Sequence, residues 1–294
     1  MNNNFEINRI LIPYDFSETS ALSLEHGIFL AKFLRAEVKL LHVIETMGFT
    51  SAISNAFSGF EKKIESESNA KLEEIAAKYH QETGVTIVVG TEVGRIYKKI
   101  ASSAHQWHAD IIFMGTHGAS GHKNHVVGTN TVRVIAEAKC PVISVQSHAK
   151  KLGFTNIVLP IDDSANSRQK VPMAMAMARI YQSKVFIIGF EPLKDVEDSV
   201  FKFKFKIEQV EDYMAEHDII TETKFAKTKE VAQETLAFAK EVDADLIVIM
   251  TEQEFSLTGN SLGVFANKII NSSPIPVITV QPQESNPDNI SVGY

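Results

Sequence analysis

The chain repeats itself, and that internal repeat limits the fold it can adopt more than any other feature. Ile10-Leu11-Ile12-Pro13-Tyr14-Asp15-Phe16-Ser17 matches Ile157-Val158-Leu159-Pro160-Ile161-Asp162-Asp163-Ser164. Ala109-Asp110-Ile111-Ile112 matches Ala244-Asp245-Leu246-Ile247, and Pro141-Val142-Ile143-Ser144-Val145 matches Pro276-Val277-Ile278-Thr279-Val280. Three anchors in one order mean two copies of one domain. With 294 residues, each copy is long enough to bury its own core. The copies are expected over residues 1–147 and 154–283, with a tail at 284–294 that is disordered at its end. The link Gln146-Ser147-His148-Ala149-Lys150-Lys151-Leu152-Gly153 is short and polar, so the halves are expected to pack on each other rather than hang on a free tether.

Within each copy, short β-branched runs alternate with helical patterns, the signature of βαβ units and a parallel sheet in an α/β fold. Strands are expected near 9–14, 37–44, 86–91, 110–115 and 141–146, and again near 156–161, 184–190, 219–225, 245–250 and 276–281. Two stretches conflict with the repeat. Pro172 falls in the first helix expected of the second copy, so that helix either starts near Val171 or kinks there. Phe201-Lys202-Phe203-Lys204-Phe205-Lys206-Ile207 alternates like a strand, yet Phe203, Ile207, Val210 and Met214 share one helical face, which favours a helix with a core stripe over a membrane-surface patch.

The stretch that carries chemistry is Met114-Gly115-Thr116-His117-Gly118, followed after nine residues by Gly128-Thr129. It lies between a buried strand, Ala109 to Met114, and a helix through Thr131-Val132-Arg133-Val134-Ile135-Ala136. Glycines let the backbone turn tightly and approach a ligand, and the helix start offers free amides and a hydroxyl, a setting suited to an anion. The full spacing G-x2-G-x9-G-[ST] in that strand-to-helix context is far rarer than a pair of loop glycines.

That spacing resembles the nucleotide motif of the universal stress protein family, in its ATP-binding branch. Ile10 to Ser17 and Leu40-Leu41-His42-Val43 are similar to the first two strands of that family. The resemblance implies two tandem doubly wound parallel five-stranded sheets, each of strand order 3-2-1-4-5, related by a pseudo-twofold axis through their last strands. In such a sheet the ligand sits beyond the carboxyl ends of the strands where the order reverses, between the first and fourth. By resemblance, the first copy holds ATP with Mg2+. Val43 and the backbone around Pro13 and Tyr14 would line the adenine, with Asp15 near the base or ribose. Gly115, Gly118, Gly128 and Thr129 would hold ribose and phosphates through amides and a hydroxyl, Asn130 and Thr131 would complete the helix start, and Met114 would belong to the same site. From the residues alone, Asp15 also reads as a turn or cap residue ahead of Ser17, and Val43 as a plain strand residue.

The second copy reads Met250-Thr251-Glu252-Gln253-Glu254-Phe255-Ser256-Leu257-Thr258-Gly259-Asn260-Ser261-Leu262-Gly263-Val264 at this place. Both turn glycines are gone, no hydroxyl follows Gly263, and the loop is expected to be one residue shorter. Glu252 and Glu254 put negative charge where phosphates would bind. At 4 Å each repulsion is about 1 kcal/mol in water and about 4 kcal/mol at an effective dielectric of 20. ATP is not expected to bind there in the same way.

Five of the ten histidines crowd between His105 and His125. The strand from Asp110 to Met114 separates His105 and His108 from His117, His122 and His125, so no single ion takes all five, and no metal site is expected. With Lys123, the later three instead decorate the anion loop. The segment Glu45 to Phe60 leaves the ligand end and reads equally as a lid or as a loop into an amphipathic helix.

Composition removes other classes. A net charge of -7 argues against nucleic acid as a partner. No apolar run reaches membrane-span length and the amino terminus lacks signal-peptide regions, so a cytoplasmic protein is expected. The lone cysteine, Cys140, reads as a small buried residue. Neither a nucleophile with its base nor a GK[ST] lysine is visible, so a binding or signalling protein of the stress response is expected rather than an enzyme. A ligand-free interaction scaffold, a slow ATPase and an adenylating enzyme are the alternatives, the last weakened because Pro13-Tyr14-Asp15-Phe16-Ser17 replaces a glycine-serine-aspartate loop. A homodimer or a protein partner stays open.

Overall fold

The structure, a computed structural model, describes residues 5–45, 51–116, 127–193, 197–252 and 262–283, with residues 51–61 described by backbone alone. The described residues divide into two compact units, one over residues 6–152 and one over residues 153–283 together with Phe5.

The first unit runs β1 (Arg9–Pro13), α1 (Glu18–Leu34), β2 (Glu37–Ile44), α2 (Ser51–Thr83), β3 (Ile87–Val93), α3 (Ile96–Gln106), β4 (Ile111–Gly115), α4 (Thr129–Glu137) and β5 (Val142–Val145). Its strands are all parallel and ordered β3-β2-β1-β4-β5, the order that the resemblance implied. The second unit runs β6 (Asn156–Ile161), a 3-10 turn (Ser167–Lys170), α5 (Val171–Tyr181), β7 (Lys184–Phe190), α6 (Glu197–Ala215), β8 (Thr221–Ala226), α7 (Val231–Glu241), β9 (Leu246–Met250), α8 (Val264–Ser272) and β10 (Val277–Val280). It repeats the order as β8-β7-β6-β9-β10. Ile10, Leu11 and Ile12, like Ile157, Val158 and Leu159, are wholly buried. Unbroken apolar runs of this kind belong to central strands covered on both faces.

The aspartate in the Ala-Asp repeat has a structural reason. Asp110 Oδ2 accepts from the amides of Asn8 and Arg9 at 2.8 and 2.9 Å, tying the start of β4 to the start of β1. Asp245 does the same for the amides of Thr155 and Asn156, both at 3.1 Å. A carboxylate taking two amide donors at a strand edge sets the register of both strands in each copy.

Both conflicts resolve locally. The helix containing Pro172 starts at Val171, with the proline in its first turn, where no intrahelical donor is lost. The Phe-Lys alternation is helical: Phe203, Ile207, Val210 and Met214 are buried in α6, whereas Phe201 is 72% exposed. Its lysines reach acids, Lys202 to Asp198 at 2.6 Å, Lys204 to Glu191 at 3.1 Å, and Lys206 to Asp163. After Glu45, α2 begins at Ser51, so much of the stretch read as lid or loop is helix. The apolar side chains on which the lid reading depends lie outside the described residues, as does the tail at 284–294. Among the described residues no helix is long and apolar enough to cross a membrane.

Candidate nucleotide site

The sheet order places β1 between β2 and β4, so the crevice opens where β1 and β4 end. Beyond β4, Thr116 continues the ladder, its amide donating to the Val145 carbonyl at 3.0 Å. The Thr116 carbonyl then accepts the amide of Gly128 at 2.7 Å, so the loop leaves and returns through one residue. Gly128 caps α4, and a Cβ there would sit 3.3 Å from the Thr116 oxygen. Thr129 and Asn130 follow as the first two helical residues. Their amides have no carbonyl one turn back within the helix, and no acidic side chain stands in that turn. This is a cradle of backbone donors at the positive end of a helix.

Several of the expected site residues also make bonds within the protein. The Thr131 hydroxyl donates to the Gly115 carbonyl at 3.0 Å, locking α4 to β4. Asp15 Oδ1 accepts from the Ser17 amide at 3.1 Å and its hydroxyl at 2.5 Å, and Ser17 caps α1. Asp162 repeats this with Ser164 at 3.1 and 2.6 Å, so the turn is built in both copies, whether or not the glycines are present. Pro13 ends β1. The Tyr14 amide donates to Leu41 at 2.8 Å, and its carbonyl lies 2.7 Å from His42 Nδ1. The Tyr14 backbone is therefore engaged within the protein and offers a base its surface. Burial, then the neighbouring Asp15, raises the Tyr14 hydroxyl above its usual pKa. Val43 is half-buried near the end of β2, and Met114 is buried in β4. Gly118, His117, His122, Lys123 and His125 lie outside the described residues. His105 stands in the last turn of α3 and His108 just past it, before β4 begins.

The second copy corrects one expectation. Thr251 donates to the Val280 carbonyl at 2.9 Å, and Gly263 donates to the Thr251 carbonyl at 2.9 Å. Thr251 and Gly263 therefore stand for Thr116 and Gly128, and the two loops are equal in length. The expected shortening came from matching Met250 to Met114 by letter, whereas the ladder matches it to Gly115. The frame of the cradle survives and its lining does not. An exposed Val264 replaces Thr129, Ala266 replaces Thr131, and the buried Phe190 stands where β2 carries Val43.

A cavity of about 530 Å³ nonetheless opens beside this frame, lined in part by Asp162, Thr251, Glu252, Lys229, Val231 and Lys268. Its wall includes the turn into α7, whose first-copy counterpart is the turn from β3 into α3. Sequence reading passed over that turn because it carries no glycine-hydroxyl pattern. The repeat itself was the available signal, since Ile96 and Val231 open equivalent helices. Sequence reading also missed Lys170, 1% exposed, whose Nζ donates to the Ser167 carbonyl at 2.5 Å and hydroxyl at 3.2 Å. Burial pulls its pKa down to about 8, against the pull of Asp162.

Comparison with known proteins bears on the family and the fold. The model of the universal stress protein family matches residues 6–146 and again 153–281. Two universal stress proteins of Methanocaldococcus jannaschii, MJ0531 and MJ0577, are each 30% identical, over 49% and 47% of this chain and 84% and 94% of their own lengths. Among solved structures, a universal stress protein of Archaeoglobus fulgidus covers 96% of this chain and 99% of its own, with a TM-score of 0.70 at 20% identity, a likeness of fold. With the family's domain matched over both repeats, the chain belongs to the universal stress protein family and carries two of its domains in tandem.

Proposed function

We propose that the protein binds ATP, with Mg2+, in its first domain and serves as a nucleotide-dependent binding or signalling protein of the stress response, the second domain having lost that ligand. The observation that carries this reading is the cradle itself. In the first copy the amides of Thr129 and Asn130 open α4 behind Gly128, beside the end of β4, with no acidic residue in that first turn. The resemblance of Gly115, Gly118, Gly128 and Thr129 to the family's ATP motif supplies the ligand class. The second copy keeps the Gly263-to-Thr251 bond but lines it with Glu252 and Val264, which favours a ligand without a polyphosphate or none at all. ATP would contribute its own phosphate-bound Mg2+, while the protein binds and orients it. Among the described residues no side-chain pair in the first cradle is arranged to activate a nucleophile, which favours a binding protein over an enzyme.

Calorimetric titration of ATP with Mg2+ tests this, with Gly118→Glu as the comparison. One equivalent bound per chain, and lost in the variant, supports the reading. No binding by the natural protein overturns it in favour of the scaffold, and release of pyrophosphate from ATP would favour the adenylating enzyme.

A further inference from the structure

Where the second copy carries an internal ion pair at the rim of its cavity, the first copy carries two arginines. In the second copy Glu230 caps α7 and Lys268 lies in α8, with the Lys268 ammonium 3.7 Å from Glu230 Oε2. The same backbone frame places Arg95 and Arg133 in the first. The Arg95 carbonyl accepts the Lys99 amide at 3.0 Å as the Glu230 carbonyl accepts that of Glu234 at 3.0 Å. Gly128 and Gly263 begin α4 and α8, which puts Arg133 and Lys268 at the same helical position. The ion pair shows that side chains at these two positions reach each other. In the first copy both are cationic and exposed, and among the described residues neither has a carboxylate within salt-bridge distance. The Arg133 guanidinium lies over the Tyr97 ring, 5.0 Å from its centroid, so α3 already holds it in place.

Two like charges at positions that meet repel each other, and an anion placed between them turns that repulsion into two charge-assisted contacts. Arginine is suited to this, because its planar fork matches phosphate oxygens in pairs. We propose that Arg95 and Arg133 clamp the outer phosphates of the nucleotide held by the Gly128 cradle, with Tyr97 as the positioning residue for Arg133. This rests on the nucleotide reading of the first domain. The clamp makes the first site selective for a triphosphate over a monophosphate, because it adds contacts to the phosphates beyond the one that the α4 amides hold. The second copy closes the same two positions with its own ion pair and needs no such anion.

The test is titration of the full chain with MgATP and separately with AMP, for the natural protein, Arg95→Glu and Arg133→Ala. Both variants are expected to weaken ATP about tenfold or more while AMP changes less than about twofold. Thermal unfolding without nucleotide checks folding; both arginines are exposed, so Arg95→Glu is expected to leave the midpoint unchanged and Arg133→Ala, which loses the Tyr97 contact, to lower it by no more than about 4 °C. If the variants leave ATP unchanged, or weaken ATP and AMP by one factor, the clamp is wrong. If the natural protein binds ATP and AMP equally well, the nucleotide reading stands and the clamp falls. If it binds neither, the nucleotide reading itself has failed.

Discussion

A Cβ on Gly115 would lie 3.0 Å from both the carbonyl oxygen and the Cβ of Thr19, so the end of β4 and the first turn of α1 meet where only a hydrogen fits. The ladder puts Met250, 1% exposed, at the same place in the second copy. There the corresponding helix begins late, at Val171, behind a 3-10 turn that packs against β9. A first-motif glycine read as a ligand residue is thus also a packing residue, and the second copy has a different helix start where a side chain stands.

Gly115→Ala is expected to cost about 1 to 3 kcal/mol through overpacking against backbone that cannot swing away. Met250→Ala should cost about 2 to 5 kcal/mol through the cavity it leaves. Urea unfolding of the two variants measures both. A neutral Gly115→Ala would mean that α1 shifts freely at its start.

Equivalent glutamines in the two copies should respond with opposite sign. Gln281 accepts the Thr251 hydroxyl at 2.9 Å, whereas Gln146 is buried and, among the described residues, neither atom of its side-chain amide is hydrogen-bonded. Replacing a paired group forfeits its bond, while replacing an unpaired buried one removes a desolvation cost. Gln281→Met is expected to lower stability by about 1 kcal/mol and Gln146→Met to raise it by about 1 kcal/mol. Denaturant midpoints at matched slope decide it.

Lys170 gives the stability a pH dependence of known sign. Its pKa falls from the ordinary 10.5 to about 8 on folding. Between these values the unfolded chain holds a proton that the folded one has released, so stability rises with pH across that window and is lower by a constant amount beneath it. Relative to Lys170→Met, the natural protein should gain about 1.4 kcal/mol per pH unit from pH 8 towards 10.5. Parallel unfolding curves at pH 7.5 and 9.5 measure this, and a flat difference would show the amine to be solvated.

Cys140 should be unreactive while the chain is folded. Burial pushes its thiol up from 9.0 to about 12, so at pH 8 its thiolate is about a thousandfold scarcer than in the open chain. Iodoacetamide is expected to alkylate it slowly in buffer and quickly in urea. Equal rates would place the sulfur at the surface.

Some of this was legible before any coordinates. The β-branched runs from Ile10 and Ile157 mark buried strands because period and composition are local properties, and Phe203, Ile207, Val210 and Met214 revealed a helix by spacing alone. Asp15 was legible only as two alternatives, and the hydrogen bonds from Ser17 to Asp15 and from Ser164 to Asp162 show the same turn in both copies.

The sequence by itself determined two copies of one α/β domain and the family, since repeats, periodicity and a spaced motif are all written along the chain. Only the tertiary structure decided which residues the ladder makes equivalent, Met250 with Gly115 rather than Met114, and so that the two loops are equal in length. It also decided that the Thr131 hydroxyl is spent on Gly115, that Lys170 is dry, and that the Arg133 guanidinium lies over Tyr97. Each of these depends on distances between segments far apart in sequence, set when helices pack on a sheet, and no local pattern of residue types encodes them.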